Sequence, residues 1–439
     1  MRKIIIGLIF TIYFLFALFY SKNTFANGDE VHYLLAAHSI VYDRDIWLEN
    51  NYNQGIALTF NPGAIDKIAA KGLDGHLYPV HGIGYSLLLA PFYAIGKRLG
   101  TVIFGAFLSG ILFYISYIFS KKITKEANLS LILASAIFLS VPLFNFSVLN
   151  FTEATGAFIF MFVLYSLLSN KNWHLPVAIA LSFLPWIHIR YFSAALILYL
   201  FSILKIPKNQ KYLGLFFPLS IICYLIFLKI TFGDFNPFAP YSLFGSTPAS
   251  GCFFQNLINL FVDRQFGLFV YCPLFLFSVP GSFFWFRKNK ISFLLASSIA
   301  VAYLFPVILI DARQGYTTPG RLFVPILPLF LPSLVYFFKE KKHIIHKILA
   351  IAFYLWGALN MVIALLLPPN HGFVYGDGVA PSLQFLSTYI GINIHSLFPA
   401  FYPNLEFTAL HYVWIISIFI FWGFLLFCYS SKSRSHPQT

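Results

Sequence analysis

Apolar runs of about 17–22 residues recur along almost the whole 439-residue chain, and this feature narrows its fold more than any other. The runs lie near 4–20, 99–119, 129–148, 152–169, 175–190, 191–204, 212–230, 267–286, 291–310, 322–338, 348–367 and 409–430. About 20 apolar residues in helical form cross the hydrocarbon core of a bilayer. In lipid only helices and closed barrels satisfy their own backbone. The runs therefore predict an all-α, polytopic membrane protein with about twelve transmembrane helices. Composition agrees: 59% of residues are apolar, only 10% are charged, and mean hydropathy is +0.77. A soluble chain carries about 25% charge. A soluble enzyme, a disordered chain and a disulfide scaffold are excluded. The four cysteines are scattered, and only Cys252 and Cys272 would share a membrane face.

The stretch 82–96, GIGYSLLLAPFYAIG, is too short and too rich in Gly and Pro to read directly as a span. The positive-inside rule decides its placement. With the N-terminus inside and 82–96 left at the interface, inner segments hold 18 of 29 basic residues and two acids. If 82–96 crosses, only 9 basic residues stay inside. The first topology is expected, with both termini cytoplasmic. The net charge of +14 is thus a topological signal and implies no nucleic-acid partner. The basic-then-apolar N-terminus is read as a first span rather than a cleaved signal peptide. Frequent Phe, Ile, Lys and Asn suggest an AT-rich genome and a bacterial inner membrane.

In this topology residues 1–439 form one membrane-embedded unit. Its long outer segments are 21–98 and 368–408, and 13 of 15 carboxylates face outward. Chemistry that needs carboxylates is expected on the outer face. Inner loops are too short for a catalytic domain.

Five outer motifs carry polar chemistry. In NGDEVHYLLAAHSIV, Asn27 and Glu30 have capping-box spacing. Val31, Leu34, Leu35 and His38 follow at helical spacing, which predicts a short amphipathic helix along the outer surface. Asp29 and Glu30 fall in its first turn, where the helix dipole favours the ionised form. Capping alone also accounts for such acids. An ionised carboxylate at the membrane surface is suited to general-base work. In LYPVHGIGY, His81 sits at headgroup depth. Glu153, beside Asn150 and Thr152, opens the fourth span, where an ionisable group must face protein or water. His188 and Arg190 close the fifth. Arg313 and Arg321 flank a Gly/Thr/Pro turn at the tenth, with Asp311 nearby as an alternative ion partner. Arginine suits bidentate phosphate contacts. All these groups map to one side at similar depth.

The acidic pair just after the first span, with Tyr33 following, resembles the GT-C superfamily of integral-membrane glycosyltransferases. That superfamily includes protein O-mannosyltransferases and the aminoarabinose transferases of lipid A. YPVHGIGYSLLLAPFYAIG resembles the juxtamembrane segment of its first outer loop. VDRQFGLFVYCPLFLFSVPGSFFWFRKNK and YTTPGRLFVPILPLFLP resemble two later segments of bacterial members. The resemblance implies a GT-C-like fold with interfacial helices in the first outer loop. It also implies a sugar donor on a polyprenyl phosphate and a lipid, glycan or protein acceptor. Asp29 would be the general base in an inverting transfer, with Glu30 supporting it or holding a divalent metal where one is used. His188 is a second metal candidate. Tyr33, His81, Glu153, Arg190, Arg313 and Arg321 would contact substrate, with Arg313 or Arg321 taking the leaving phosphate. His81 stands where several relatives carry Lys. Alternatives are a secondary transporter, disfavoured by the lack of matching halves, and an envelope polysaccharide polymerase or ligase. The latter is disfavoured because 368–408 holds no Lys or Arg.

A reporter fused after Gly96 is expected to read extracytoplasmic. A cytoplasmic reading would invert every later loop and overturn the topology.

Overall fold

The computed structural model describes residues 1–63, 66–169, 172–245, 253–309, 318–341, 343–366, 378–400 and 407–430. Nineteen α-helices and one two-stranded hairpin appear among them. The first span is α1 (Arg2–Asn23). The first outer loop builds α2 (Asp29–His38), α3 (Glu49–Asn53), α4 (Ile56–Phe60), and the antiparallel pair β1 (Ala69–Lys71) and β2 (Leu77–Pro79). There follow α5 (Ile83–Thr124), α6 (Ala127–Phe138), α7 (Thr152–Leu167), α8 (His174–Ile187), α9 (Phe192–Ile203) and α10 (Phe216–Phe232). The later part holds α11 (Ala239–Leu243), α12 (Phe253–Val262), α13 (Leu268–Tyr271), α14 (Ser278–Lys288) and α15 (Lys290–Leu309). It ends with α16 (Leu331–Glu340), α17 (Ile344–Leu366), α18 (Pro381–Ile390) and α19 (Ala409–Ser430).

The protein is a polytopic helical membrane protein. Each of the twelve apolar runs carries helix. Six described helices are long and apolar enough to cross a membrane alone, and shorter apolar helices lie between them. Three of the runs that are not continuous helices break close to a proline. Residues 129–148 end their α-helix at Phe138, ahead of Pro142. Residues 267–286 pass through a 3-10 turn at Pro273–Phe277, and 322–338 through another at Leu327–Phe330. Proline removes a backbone donor and clashes with the preceding turn. Such breaks survive at membrane depth only where the freed groups are buried in protein, and these segments are almost wholly buried.

The ambiguous stretch 82–96 is helical and is set off from the span after it. Gly96 (φ −138°) and Lys97 (φ 48°) leave helical geometry inside α5. The bend is sharp, because the rings of Phe92 and Phe104 stack at 4.2 Å. In a straight helix twelve residues span about 18 Å. The piece before the bend is thus a separate short helix.

The sequence pattern misplaces α2. The expected surface helix is enclosed: every residue from Glu30 to Ala37 is buried. The first part of α5 packs along it, and α4 covers another side. Ser86 donates to the Tyr33 carbonyl at 3.0 Å, and Ala26 N–H to the Phe60 carbonyl at 3.0 Å. The outer loop folds over its own helix because β1 and β2 are tied to α3 and α10. The Glu49 carboxylate accepts from His76 and from Leu77 N–H, and Leu73 N–H donates to the Thr231 carbonyl.

The turn into α5 presses on the end of α8. A Cβ on Gly82 would lie 2.3 Å from the Trp186 carbonyl oxygen, and one on Gly84 2.6 Å from the Trp186 carbonyl carbon. Only glycine permits this approach, which sets His81 beside the residues that follow α8. Gly82→Ala is expected to cost about 1–3 kcal/mol as an overpacked contact and to lower the Tm in detergent by several degrees. An unchanged Tm would mean that these segments do not touch as described.

Candidate active site

Four charged side chains from four distant parts of the chain meet at one end of the helical bundle. Asp29 is at the start of α2, and Glu153 is in the first turn of α7. Arg190 lies in a 3-10 turn after α8, and Arg321 follows the left-handed Gly320. Each stands where a helix begins or breaks, so the sequence places it at a membrane boundary rather than mid-span. Gly320 (φ 76°) packs against the Pro142 ring, which fixes the turn that delivers Arg321.

The four form an alternating chain. Arg321 Nη2 donates to Asp29 Oδ2 at 2.6 Å, and Arg321 Nε to Glu153 Oε1 at 2.5 Å. Arg190 Nη2 donates to the same Glu153 oxygen and to Thr152 Oγ1, both at 2.8 Å. Arg321 also stacks over the Phe151 ring at 4.5 Å, a cation–π contact. Glu153 is fully buried, and a buried charge persists only when paired and hydrogen-bonded. Two cations balance two anions, and the Arg190 Nε is buried without a partner among the described residues.

Asp29 is the member reached from outside the chain of charges. Burial raises its pKa, but Arg321 and His81 outweigh that and hold it well below the usual carboxylate range. It is therefore ionised at neutral pH. His81 Nε2 lies 3.6 Å from Asp29 Oδ1. The hydrogen bonds behind His81 assign its tautomer. Arg190 N–H donates to His188 Nδ1 at 3.2 Å, so the neutral His188 carries its proton on Nε2. That atom faces the Tyr241 hydroxyl at 3.3 Å, and the hydroxyl donates to His81 Nδ1 at 3.4 Å. His81 is left with its Nε2–H towards Asp29. The Tyr33 ring packs on His81 at 5.3 Å and on Tyr85 at 4.9 Å, and its buried hydroxyl has no partner among the described residues.

Glu30 takes a different path. Its Oε1 accepts from the backbone and side-chain N–H groups of Asn150, both at 3.1 Å, and its Oε2 from Asn27 N–H at 3.4 Å. The last is half of the expected capping box; the helix itself is capped by Gly28 without a side-chain bond. Burial raises the Glu30 pKa against the opposing pull of Arg98 and these N–H groups. Glu30 thus pins the segment leading into α7 and so sets the position of Glu153. It does not turn towards His188, the other metal candidate. No three His, Cys, Asp or Glu side chains gather as a ligand group among the described residues. With Asp29 held by Arg321, Glu30 by Asn150 and His188 by Tyr241, this donor set does not fit a divalent centre, and no step is drawn through one.

The structure brings together Asp29, Tyr33, His81, Glu153, His188, Arg190 and Arg321, with Glu30 behind them. Arg313, Asp311 and Cys252 lie outside the described residues, and Cys272 is a buried free thiol. Tyr241, Phe151 and Arg98 complete the surroundings and were not singled out by sequence. Arg98 donates to the Ser21 and Thr24 carbonyls and holds the end of α1 against α5.

No sequence-family model and no curated protein sequence matches the chain. A solved structure does match: the apo crystal structure of ArnT from Cupriavidus metallidurans. The similarity covers 90% of this chain and 69% of that chain, with TM-score 0.51 and 14% sequence identity. The chain has the fold of ArnT. At this identity the ArnT likeness concerns architecture alone, so the chemistry must come from the charged chain itself.

Glu153→Gln keeps the shape of the central carboxylate and removes its charge. It leaves Arg190 and Arg321 buried with one anion between them, a loss of about 3–5 kcal/mol for a broken buried pair. The Tm should fall markedly. An unaltered Tm would show that the guanidinium groups do not depend on Glu153.

Proposed function

We propose that the protein is a membrane glycosyltransferase that moves a sugar from a polyprenyl-phosphate donor to a lipid, glycan or protein acceptor. The observation that carries this reading is the Asp29–Arg321–Glu153–Arg190 chain within a GT-C fold. It pairs an ionised carboxylate, suited to take a proton, with arginines suited to a phosphate. The resemblance of the residues after the first span to the aminoarabinose transferases of lipid A makes a lipid acceptor the first to test. The charge distribution supports a site on the extracytoplasmic face of a bacterial inner membrane, with both termini cytoplasmic.

Asp29 removes the proton of the acceptor hydroxyl. The freed oxygen attacks the anomeric carbon from the face opposite the phosphate. The bond from that carbon to the phosphate oxygen breaks, the configuration inverts, and polyprenyl phosphate leaves with the electron pair. Arg321 meets the charge that grows on the leaving phosphate, where preorganised donors contribute most. The same Arg321 restrains Asp29 before substrate arrives, since a paired carboxylate is a weak base. A donor phosphate competes for Arg321 Nη2 and so frees Asp29 Oδ2 as the acceptor approaches. Arg321 stays in place through its second bond, from Nε to Glu153. His81 Nε2, 3.6 Å from Asp29 Oδ1, remains beside the carboxylate during the exchange. The membrane supplies the donor laterally, so its lipid tail never crosses water.

The test is turnover by purified wild type and Asp29→Asn with a panel of polyprenyl-phosphate sugars in nanodiscs. Loss of a positioned base is expected to slow transfer by about 10²–10⁴-fold while Asp29→Asn remains folded by gel filtration. Near-normal turnover would sink the base assignment. Arg321→Ala should weaken donor use, and unchanged kinetics would move the phosphate role to Arg313.

A further inference from the structure

A second lipid-sized feature lies at the other end of the bundle from the charged chain. The spanning part of α5 starts near Arg98, which touches the outer end of α1, and runs to Lys125. At about 1.5 Å per residue this is roughly 40 Å. Likewise α7 starts at the site with Thr152 and Glu153 and ends at Leu167. Between their far halves is a groove of about 750 Å³. Ile111, Ile115 and Ile118 form one wall at successive turns of α5. Phe158, Phe162 and Tyr165 form the other at successive turns of α7. The groove ends at Lys121, Lys122 and Lys125.

These lysines are not neutralised by the protein. Among the described residues none of the three has a carboxylate within ion-pair distance, and Glu126, the adjacent acid, is held by Lys339 at 3.0 Å. Lys122 donates to the Leu168 carbonyl and lies over the Tyr165 ring at 5.7 Å, so one ammonium is fixed at the mouth of the aromatic wall. Positive-inside topology accounts for lysines at this depth, but not for an open aromatic groove beneath them. An apolar trough closed by uncompensated cations is complementary to one chemistry: a hydrocarbon chain ending in a phosphate.

We propose that this groove binds an anionic glycerophospholipid of the leaflet opposite the active site. Its acyl chain lies between α5 and α7, and its headgroup phosphate rests on Lys121, Lys122 and Lys125. The site is separate from the one proposed for the donor and does not depend on the transferase reading. The bound lipid would brace α7, the helix that carries Glu153.

The test is native mass spectrometry of the full-length protein titrated with phosphatidylglycerol, phosphatidylcholine and a polyprenyl phosphate. Wild type should retain phosphatidylglycerol over phosphatidylcholine by on the order of tenfold or more. K121Q/K122Q/K125Q should lose that preference, and K121R/K122R/K125R should keep it. Ile118→Trp fills the groove with all lysines present and should lose the lipid as well, which separates a binding defect from altered membrane insertion. Equal retention of phosphatidylcholine, or retention unaffected by both the glutamine and the tryptophan variants, would overturn the site. Displacement of phosphatidylglycerol by an equal concentration of polyprenyl phosphate would overturn the assigned lipid class.

Discussion

One buried carboxylate oxygen, Glu153 Oε1, holds two guanidinium groups, and one end of the bundle is organised around it. Arg190 arrives from the end of α8 and Arg321 from the turn after Gly320, so the oxygen ties three segments that share no local sequence. Removing charges from water is expensive, and the cost is met only if every partner is present. Glu153 also sits in the first turn of α7, where the helix dipole favours an anion. Asp29 joins as the fourth charge. Without it, Arg321 Nη2 would lack the acceptor it now has at 2.6 Å. The arrangement is stable as a whole and sensitive at each member, which suits the proposed exchange of one internal ion pair for a substrate phosphate.

The adjacent acids of α2 divide their work because they leave the helix in different directions. Asp29 enters the ion chain, whereas Glu30 takes three N–H groups from Asn27 and Asn150. Glu30 thereby links the first outer loop to the start of α7. The carboxylate that joins the ion chain and the carboxylate that fixes its surroundings are thus adjacent in sequence. This depends on α2 being enclosed; on a free membrane surface both acids would face water and neither would be directed.

The fold was largely legible because hydrophobicity in lipid is a local signal. Each apolar run marks helix, and the Gly- and Pro-rich stretch 82–96 is a helix set off from the one after it by the bend at Gly96 and Lys97. The breaks near Pro142, Pro273 and Pro328 were less visible, since they depend on burial that pattern alone does not reveal. The enclosure of α2 was missed for a related reason. Its cover comes from the first part of α5 and from α4, which reach it only through the fold of the loop between them. For the site, charge at a membrane boundary was enough to select Asp29, Glu153, Arg190 and Arg321. Their pairing spans up to 292 residues, and no spacing rule reaches that far. Tyr241 carried no signal beyond being one of 26 tyrosines in an aromatic-rich chain.

The position of the charges also bears on which class of membrane protein this is. Transporters built from repeats gather their polar groups near the midplane, between matching halves. Here the ionisable groups gather where helices begin: α2 and α7 open at the site, and the turns at Arg190 and Arg321 precede α9 and α16. Arg321 is held from both sides, by Glu153 within the bundle and by Asp29 towards the outer loop. It can therefore turn one nitrogen to a membrane-borne phosphate without losing its anchor. A single-partner arginine would have to choose between structure and substrate, and the second bond to Glu153 removes that conflict.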